Sequence, residues 1–165
     1  MTARSAPRNL QLKGGTLEKS RVLIVDDNAA TVTLLTAMLR REYAVEAASD
    51  GYAAIEKLRT NLYAAIILDL RMPLLDGFGV LDFIKEHSPD LLRRVVVLTA
   101  SLTRNELTRV DTYPVCSVVP KPFEIETLLH AIKQCVDPDD ARQMGGLISS
   151  GMIILLADLL RTRFL

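Results

Sequence analysis

Net charge is missing from this chain: twenty lysines and arginines face twenty aspartates and glutamates across 165 residues. That balance provides no global field to draw in nucleic acid or an anionic membrane, so charge-driven chemistry has to be local. Cysteine is nearly missing too. The two that occur, Cys116 and Cys135, stand in apolar surroundings without CxxC spacing and with no signal peptide ahead of them. They are expected to be reduced core thiols of a cytoplasmic protein, with a disulfide between them as the alternative. The start, MTARSAPRNLQLKGGTLEKS, has no apolar stretch long enough for secretion and no acid before Glu18, and a flexible leader over residues 1–20 is the expectation. A membrane span is lacking as well. The apolar stretch within Gly145 to Leu165 is interrupted by Ser149, Ser150, Gly151 and Asp158 and falls short of the roughly 20 residues a bilayer helix needs. After Val136 there is no helix-turn-helix, no basic recognition helix and no catalytic motif, which excludes direct nucleic-acid readout by a recognisable module.

What is present is a hydrophobic pattern whose period changes in a fixed order. Val22 to Val25 is a short β-branched run, followed by Val32, Leu35 and Leu39 at helical spacing. Val45 and Ala47 alternate around Glu46, and Ile55 with Leu58 marks a helix after Gly51. Tyr63 to Leu68 reads as the third strand; Phe78, Leu81 and Ile84 give a helix from Asp76-Gly77 to Ser88-Pro89. Val95 to Leu98 is the fourth strand and Thr103 to Val110 a poorly amphipathic helix. Cys116 to Val119 is the fifth strand, and Ile125, Leu128, Leu129 and Ile132 fit one face of a fifth helix. The pattern is βα five times, which predicts an α/β fold with a parallel sheet covered by helices on both faces. The chain length suits one such domain, over residues 21–136, with a C-terminal extension over 137–165.

Parallel strands deliver the residues at their carboxyl ends to one edge of the sheet, where open α/β folds bind ligands. Here that edge receives Asp26 and Asp27 after the first strand, Asp69 after the third, Thr99 after the fourth and Lys121 after the fifth. Three carboxylates gathered at a partly dry sheet mouth repel one another. A hard divalent cation offsets that repulsion, and Mg²⁺ takes few protein carboxylates while keeping room for a phosphate oxygen. Lys121 supplies a second positive charge and Thr99 a hydroxyl. Together they describe phosphoryl transfer with a carboxylate, Asp69, as nucleophile.

The segments RVLIVDDN, IILDLRMPLLDGF, VVVLTA and PKPF resemble, in order and separation, those of the receiver domain of two-component response regulators, over about Arg21 to Val136. The resemblance implies a flavodoxin-like (βα)5 three-layer sandwich whose five-stranded parallel sheet has the order 2-1-3-4-5. It implies that Asp69 is the phosphoacceptor, that Asp26, Asp27, Asp69 and the Arg71 backbone carbonyl hold Mg²⁺, that Thr99 is the switch hydroxyl and that Lys121 contacts the phosphoryl group. The implied role is a non-enzymatic signalling domain that takes its phosphoryl group from a histidine kinase or histidine phosphotransfer protein and contacts a downstream protein. The alternatives are a receiver cut from a hybrid kinase or transcription factor, and a docking domain that is never phosphorylated. Many receivers carry an aromatic residue three positions before the lysine; here it is Val118, so the surface readout around 100–113 is expected to differ.

Each residue also has a plain reading. Asp27 or Asn28 would cap the first helix, Asp76-Gly77 is a turn, Thr99 an ordinary strand residue and Lys121 a solvated loop charge. Their joint placement after different strands is what favours the functional reading. His87 suits a helix C-terminus, and His130 has no acid partner in view. A flavodoxin-type phosphate cradle is opposed by the acidic DDNAAT loop. A haloacid-dehalogenase-like phosphatase would place a second aspartate two residues after the first; Arg71 stands there and cannot act as general acid, so a slow, self-limiting transfer is expected. The extension is expected to pack on a receiver surface, its own or a second copy's to make a homodimer, with a truncated remnant as the alternative.

Overall fold

The computed structural model describes residues 10–13, 16–100 and 103–137. The expected C-terminal extension beyond Asp137 lies outside the described residues, as do 1–9 and 14–15 of the expected leader and 101–102 of the expected readout segment.

Two strands, β1 (Leu10–Lys13) and β2 (Thr16–Lys19), pair antiparallel with Leu12 opposite Leu17. This pairing was absent from the sequence-based expectation, although Gly14-Gly15 between the strands is a known hairpin signal. The five βα units follow: β3 (Arg21–Val25), α1 (Ala29–Leu39), β4 (Ala44–Ala48), α2 (Gly51–Thr60), β5 (Ala65–Asp69), α3 (Gly77–His87), β6 (Val95–Thr99), α4 (Arg104–Val110), β7 (Ser117–Pro120) and α5 (Ile125–Val136). The parallel sheet runs β4-β3-β5-β6-β7, the expected order when the five strands are numbered by themselves. A 3-10 turn at Pro89–Arg94, not expected from the sequence, joins α3 to β6.

Period-two alternation divides the core between the faces of the sheet. Leu23, Val25, Ile66, Leu68, Val95 and Val97 face α2, α3 and α4 with Ala54, Phe78, Leu81, Ile84 and Val110. Val22, Ile24, Ala65, Ile67, Val96 and Leu98 face α1 and α5 with Leu35, Leu39, Leu128, Ala131 and Ile132. Every residue of β5 and β6 is buried, as continuous apolar runs covered on both sides should be. The edge strand β4 is polar outward. There Glu46 accepts from Tyr63 Oη at 3.0 Å and pairs with Arg21 and Lys57 at 3.4 Å. Burial and the Glu46 hydrogen bond push the Tyr63 phenol up to about 12.

The expectation of reduced cysteines is overturned. Cys116 and Cys135 form a disulfide with their Cα atoms 5.8 Å apart, within the range that a bridge requires. The cause is topological: α5 returns along β7, so the residue before the strand meets the last helical turn. Sequence separation alone does not show that approach.

Candidate functional site

The site is built from the carboxyl ends of β3, β5, β6 and β7. Asp26 follows β3 and continues its ladder, its N–H donating to Ala48 O at 3.1 Å. The side chain is only 1 % exposed. Its Oδ1 accepts from Asn28 N at 2.8 Å and its Oδ2 from Lys121 Nζ at 2.7 Å. Asn28, rather than Asp27, caps α1, accepting from Ala30 N and Thr31 N at 2.9 and 3.1 Å. Asp27 is exposed, with its carboxylate at the positive end of that helix.

Asp69 and Thr99 are the last residues of their strands rather than the first beyond them. Asp69 is 6 % exposed; its Oδ1 accepts from Arg71 N at 3.0 Å and its Oδ2 from Lys121 Nζ at 2.6 Å. Thr99 is buried on the neighbouring strand one residue beyond Leu98, the residue in register with Asp69, and its carbonyl accepts from Lys121 N at 2.6 Å. Lys121 follows β7 and begins a cis peptide to Pro122. Its ammonium bridges two carboxylates from segments far apart in sequence. Burial opposes that charge, yet the hydrogen bonds and charges of Asp26 and Asp69 outweigh burial and raise the Lys121 pKa above its usual 10.5.

Carboxylate oxygens of Asp26, Asp27 and Asp69 all lie within 4.8 Å of one another. At an effective dielectric of about 20, each such pair repels by roughly 3.5 kcal/mol or more. One ammonium among three carboxylates leaves about two negative charges, the complement of a divalent cation. All three donors are hard oxygens, which suits magnesium or manganese and not a thiolate-seeking metal. The residues thus fit the expected ion. Arg71 contributes a backbone N–H to Asp69, and its side chain pairs with Glu106 at 3.4 Å.

Two supporting features were not anticipated. A Cβ on Gly77 would sit 2.3 Å from Asp69 O and 2.7 Å from Leu70 Cα, so the start of α3 touches the backbone that carries Asp69. The Asp-Gly pair is more than a turn: Asp76 caps α3 through Gly79 N at 2.9 Å, and Gly77 allows the close approach. Glu106 forms a reciprocal capping box with Thr103 at the start of α4, and those hydrogen bonds hold its carboxyl below the usual range. Through Arg71 it links α4 to the loop after Asp69. His87 and His130 are exposed on α3 and α5; His87 stacks on Phe83, and His130 lies 2.8 Å from Gln134 Nε2. Val118 is partly buried against the α2–α4 side of the core. Among the described residues no helix is long and apolar enough to cross a membrane.

The family model described as response regulator receiver domain matches residues 22–133. Response regulator MprA of Mycobacterium leprae (strain TN) is 35 % identical over 127 residues, covering 74 % of this chain and 55 % of that protein. The chain thus spans about half the length of the curated relatives it matches. Among solved structures, the receiver domain of sensor histidine kinase PA1611 from Pseudomonas aeruginosa PAO1, with a magnesium ion coordinated in its active site cleft, is similar at 26 % identity and a TM-score of 0.64, covering 71 % of this chain and 97 % of that one. A CheY-like response regulator receiver domain protein from Methanospirillum hungatei JF-1, at 22 % identity, shares the fold with a TM-score of 0.68 over 74 % of this chain and 98 % of its own.

Proposed function

The chain belongs to the response regulator receiver domain family of two-component systems, and from that membership we propose that Asp69 accepts a phosphoryl group from a histidine kinase or histidine phosphotransfer protein. The supporting observation is the meeting of Asp26, Asp27 and Asp69 oxygens within 4.8 Å, with Lys121 Nζ on two of them. An Asp69 oxygen bonds to phosphorus while the bond from phosphorus to the donor imidazole nitrogen breaks, leaving an acyl phosphate. Lys121, released in part from the Asp69 carboxylate, pairs with the phosphoryl oxygens. Thr99, at the end of the neighbouring strand and one residue past the partner of Asp69, supplies the hydroxyl that follows them. Asp26, Asp27, Asp69 and the Arg71 carbonyl would hold magnesium, which would supply positive charge for the transferring group.

The domain is a switch and not a turnover phosphatase, because position 71 offers no general acid for a leaving group. Residues 21–136 act as the receiver, in the cytoplasm, and the output is a change at segment 100–113 read by a downstream protein. Intact-mass measurement after acetyl phosphate and Mg²⁺ tests this. The expected result is one added phosphoryl group, absent in Asp69→Asn and in chelator; an unmodified wild-type protein would overturn the proposal and favour docking without phosphorylation.

A further inference from the structure

The Cys116–Cys135 bridge plays no part in the acidic site, yet it closes over the segment that carries the site's cation. Cys116 enters β7, its N–H donating to Val95 O at 2.9 Å, and Cys135 lies in the last turn of α5. The two are nineteen residues apart, and Lys121 falls between them. Among the described residues β7 is a four-residue edge strand paired with β6 alone, so its position depends on few hydrogen bonds. The covalent tie to α5 therefore supplies part of what holds Lys121 at 2.6 and 2.7 Å from Asp69 and Asp26. In the compartment proposed above, small thiols keep most cysteines reduced, and disulfides that do form there are commonly redox-responsive. Access is unequal: Cys116 is partly exposed, whereas Cys135 is 4 % exposed.

We propose that Cys116 and Cys135 form a thiol–disulfide exchange site, oxidised by low-molecular-weight disulfides and reduced by the corresponding thiols, that controls how firmly Lys121 is held. On oxidation, the Cys116 thiolate attacks one sulfur of the small disulfide and expels the first small thiolate. The Cys135 thiolate then displaces the second at the mixed disulfide. One S–S bond breaks and one forms; the two cysteine protons end on the two released thiols. Reduction is the reverse, with the small thiolate entering at the more accessible Cys116. The clasp acts on a phosphorylation site only through the reading of Asp69 given above.

The full chain is equilibrated in buffers of reduced and oxidised glutathione, exchange is quenched with acid, the free thiols are alkylated in denaturant because Cys135 is buried, and the products are weighed. The expected result is reversible gain and loss of two alkylatable thiols. The reduced form should melt about 5–10 °C lower, as loss of a bridge closing a loop of this size predicts, with faster amide exchange across 117–121. Its phosphorylation by acetyl phosphate should be slower by about three- to tenfold, as expected for a loosened catalytic cation. The Cys116→Ser/Cys135→Ser double variant should match the reduced form in both buffers. A count of free thiols that does not change with the glutathione ratio, or reduced and oxidised forms alike in melting and exchange, would overturn the clasp. Protein that takes no phosphoryl group in either state would overturn the role of Asp69, and the exchange site would then be decided by trapping and amide exchange alone.

Discussion

Replacing Lys121 by methionine keeps the side chain's length and removes its charge. In the wild-type protein the ammonium lies 2.7 Å from Asp26 and 2.6 Å from Asp69, with side-chain exposures of 20 % for the lysine, 0 % for Asp26 and 9 % for Asp69. Each contact is worth about 6 kcal/mol gross at an effective dielectric of about 20. The desolvation of three groups offsets most of that. Lys121→Met leaves two buried carboxylates facing each other and Asp27 without their cation, the situation in which breaking a buried pair costs about 3–5 kcal/mol. In chelator at neutral pH, the urea midpoint should therefore fall by roughly 1.5–3 M.

Magnesium separates this electrostatic cause from a loss of packing. A cation at ten times its dissociation constant stabilises by about 1.4 kcal/mol, and it should bind the variant more tightly because one more negative charge is uncompensated. The gap between the two proteins should narrow as the ion is added. Alkaline pH gives a second handle. The folded pKa of Lys121 lies above 10.5, so its contribution is fully present below that value and is lost as pH rises through the folded pKa. The wild-type protein should lose this stability at high pH, and Lys121→Met should not. A variant within about 1 kcal/mol of wild type in chelator, or equal magnesium responses in the two proteins, would refute the reasoning.

Further outcomes follow from individual positions. Gly77→Ala forces a Cβ to 2.3 Å from Asp69 O; neither partner atom is a movable side-chain end, so urea titration should show a loss of about 2–3 kcal/mol, with weaker magnesium binding. Leu74 holds a left-handed φ of 68° while 82 % exposed; Leu74→Gly should leave stability unchanged or raise it by up to about 1 kcal/mol, read as an unchanged or higher melting temperature. Beryllofluoride with Mg²⁺ should alter amide exchange between Val95 and Val119; an identical pattern with and without it would show that the 100–113 segment does not respond.

The sheet and the acids are legible in the sequence because both follow from the simplest regularities in the chain. Val95 to Leu98 is too continuous in β-branched and apolar residues to be anything but a strand covered on both faces. Once the strands are parallel, Asp26, Asp69, Thr99 and Lys121 must share an edge. The third strand was placed early, at Tyr63, because an aromatic residue continuous with an apolar run fits a strand; the tyrosine is as buried as its neighbours, and its hydroxyl is satisfied by Glu46 from across the sheet, a partner that local pattern does not announce. Gly77 and Arg71 were underread for a related reason. Their contacts, to the Asp69 backbone and to Glu106, depend on how loops and helix ends pack and not on periodicity. The disulfide was the less favoured alternative because its two residues become neighbours only after α5 folds back along β7.

Borohydride reduction of protein treated with acetyl phosphate and Mg²⁺, followed by peptide mass spectrometry, tests the site most directly, since an aspartyl phosphate is converted to homoserine at the residue that carried it. Homoserine is expected at position 69 and at none of the other acids, with Asp26 and Asp27 intact. Homoserine at another aspartate, or at none while the magnesium response is normal, would contradict the assignment of Asp69 as the carboxylate that bonds to phosphorus.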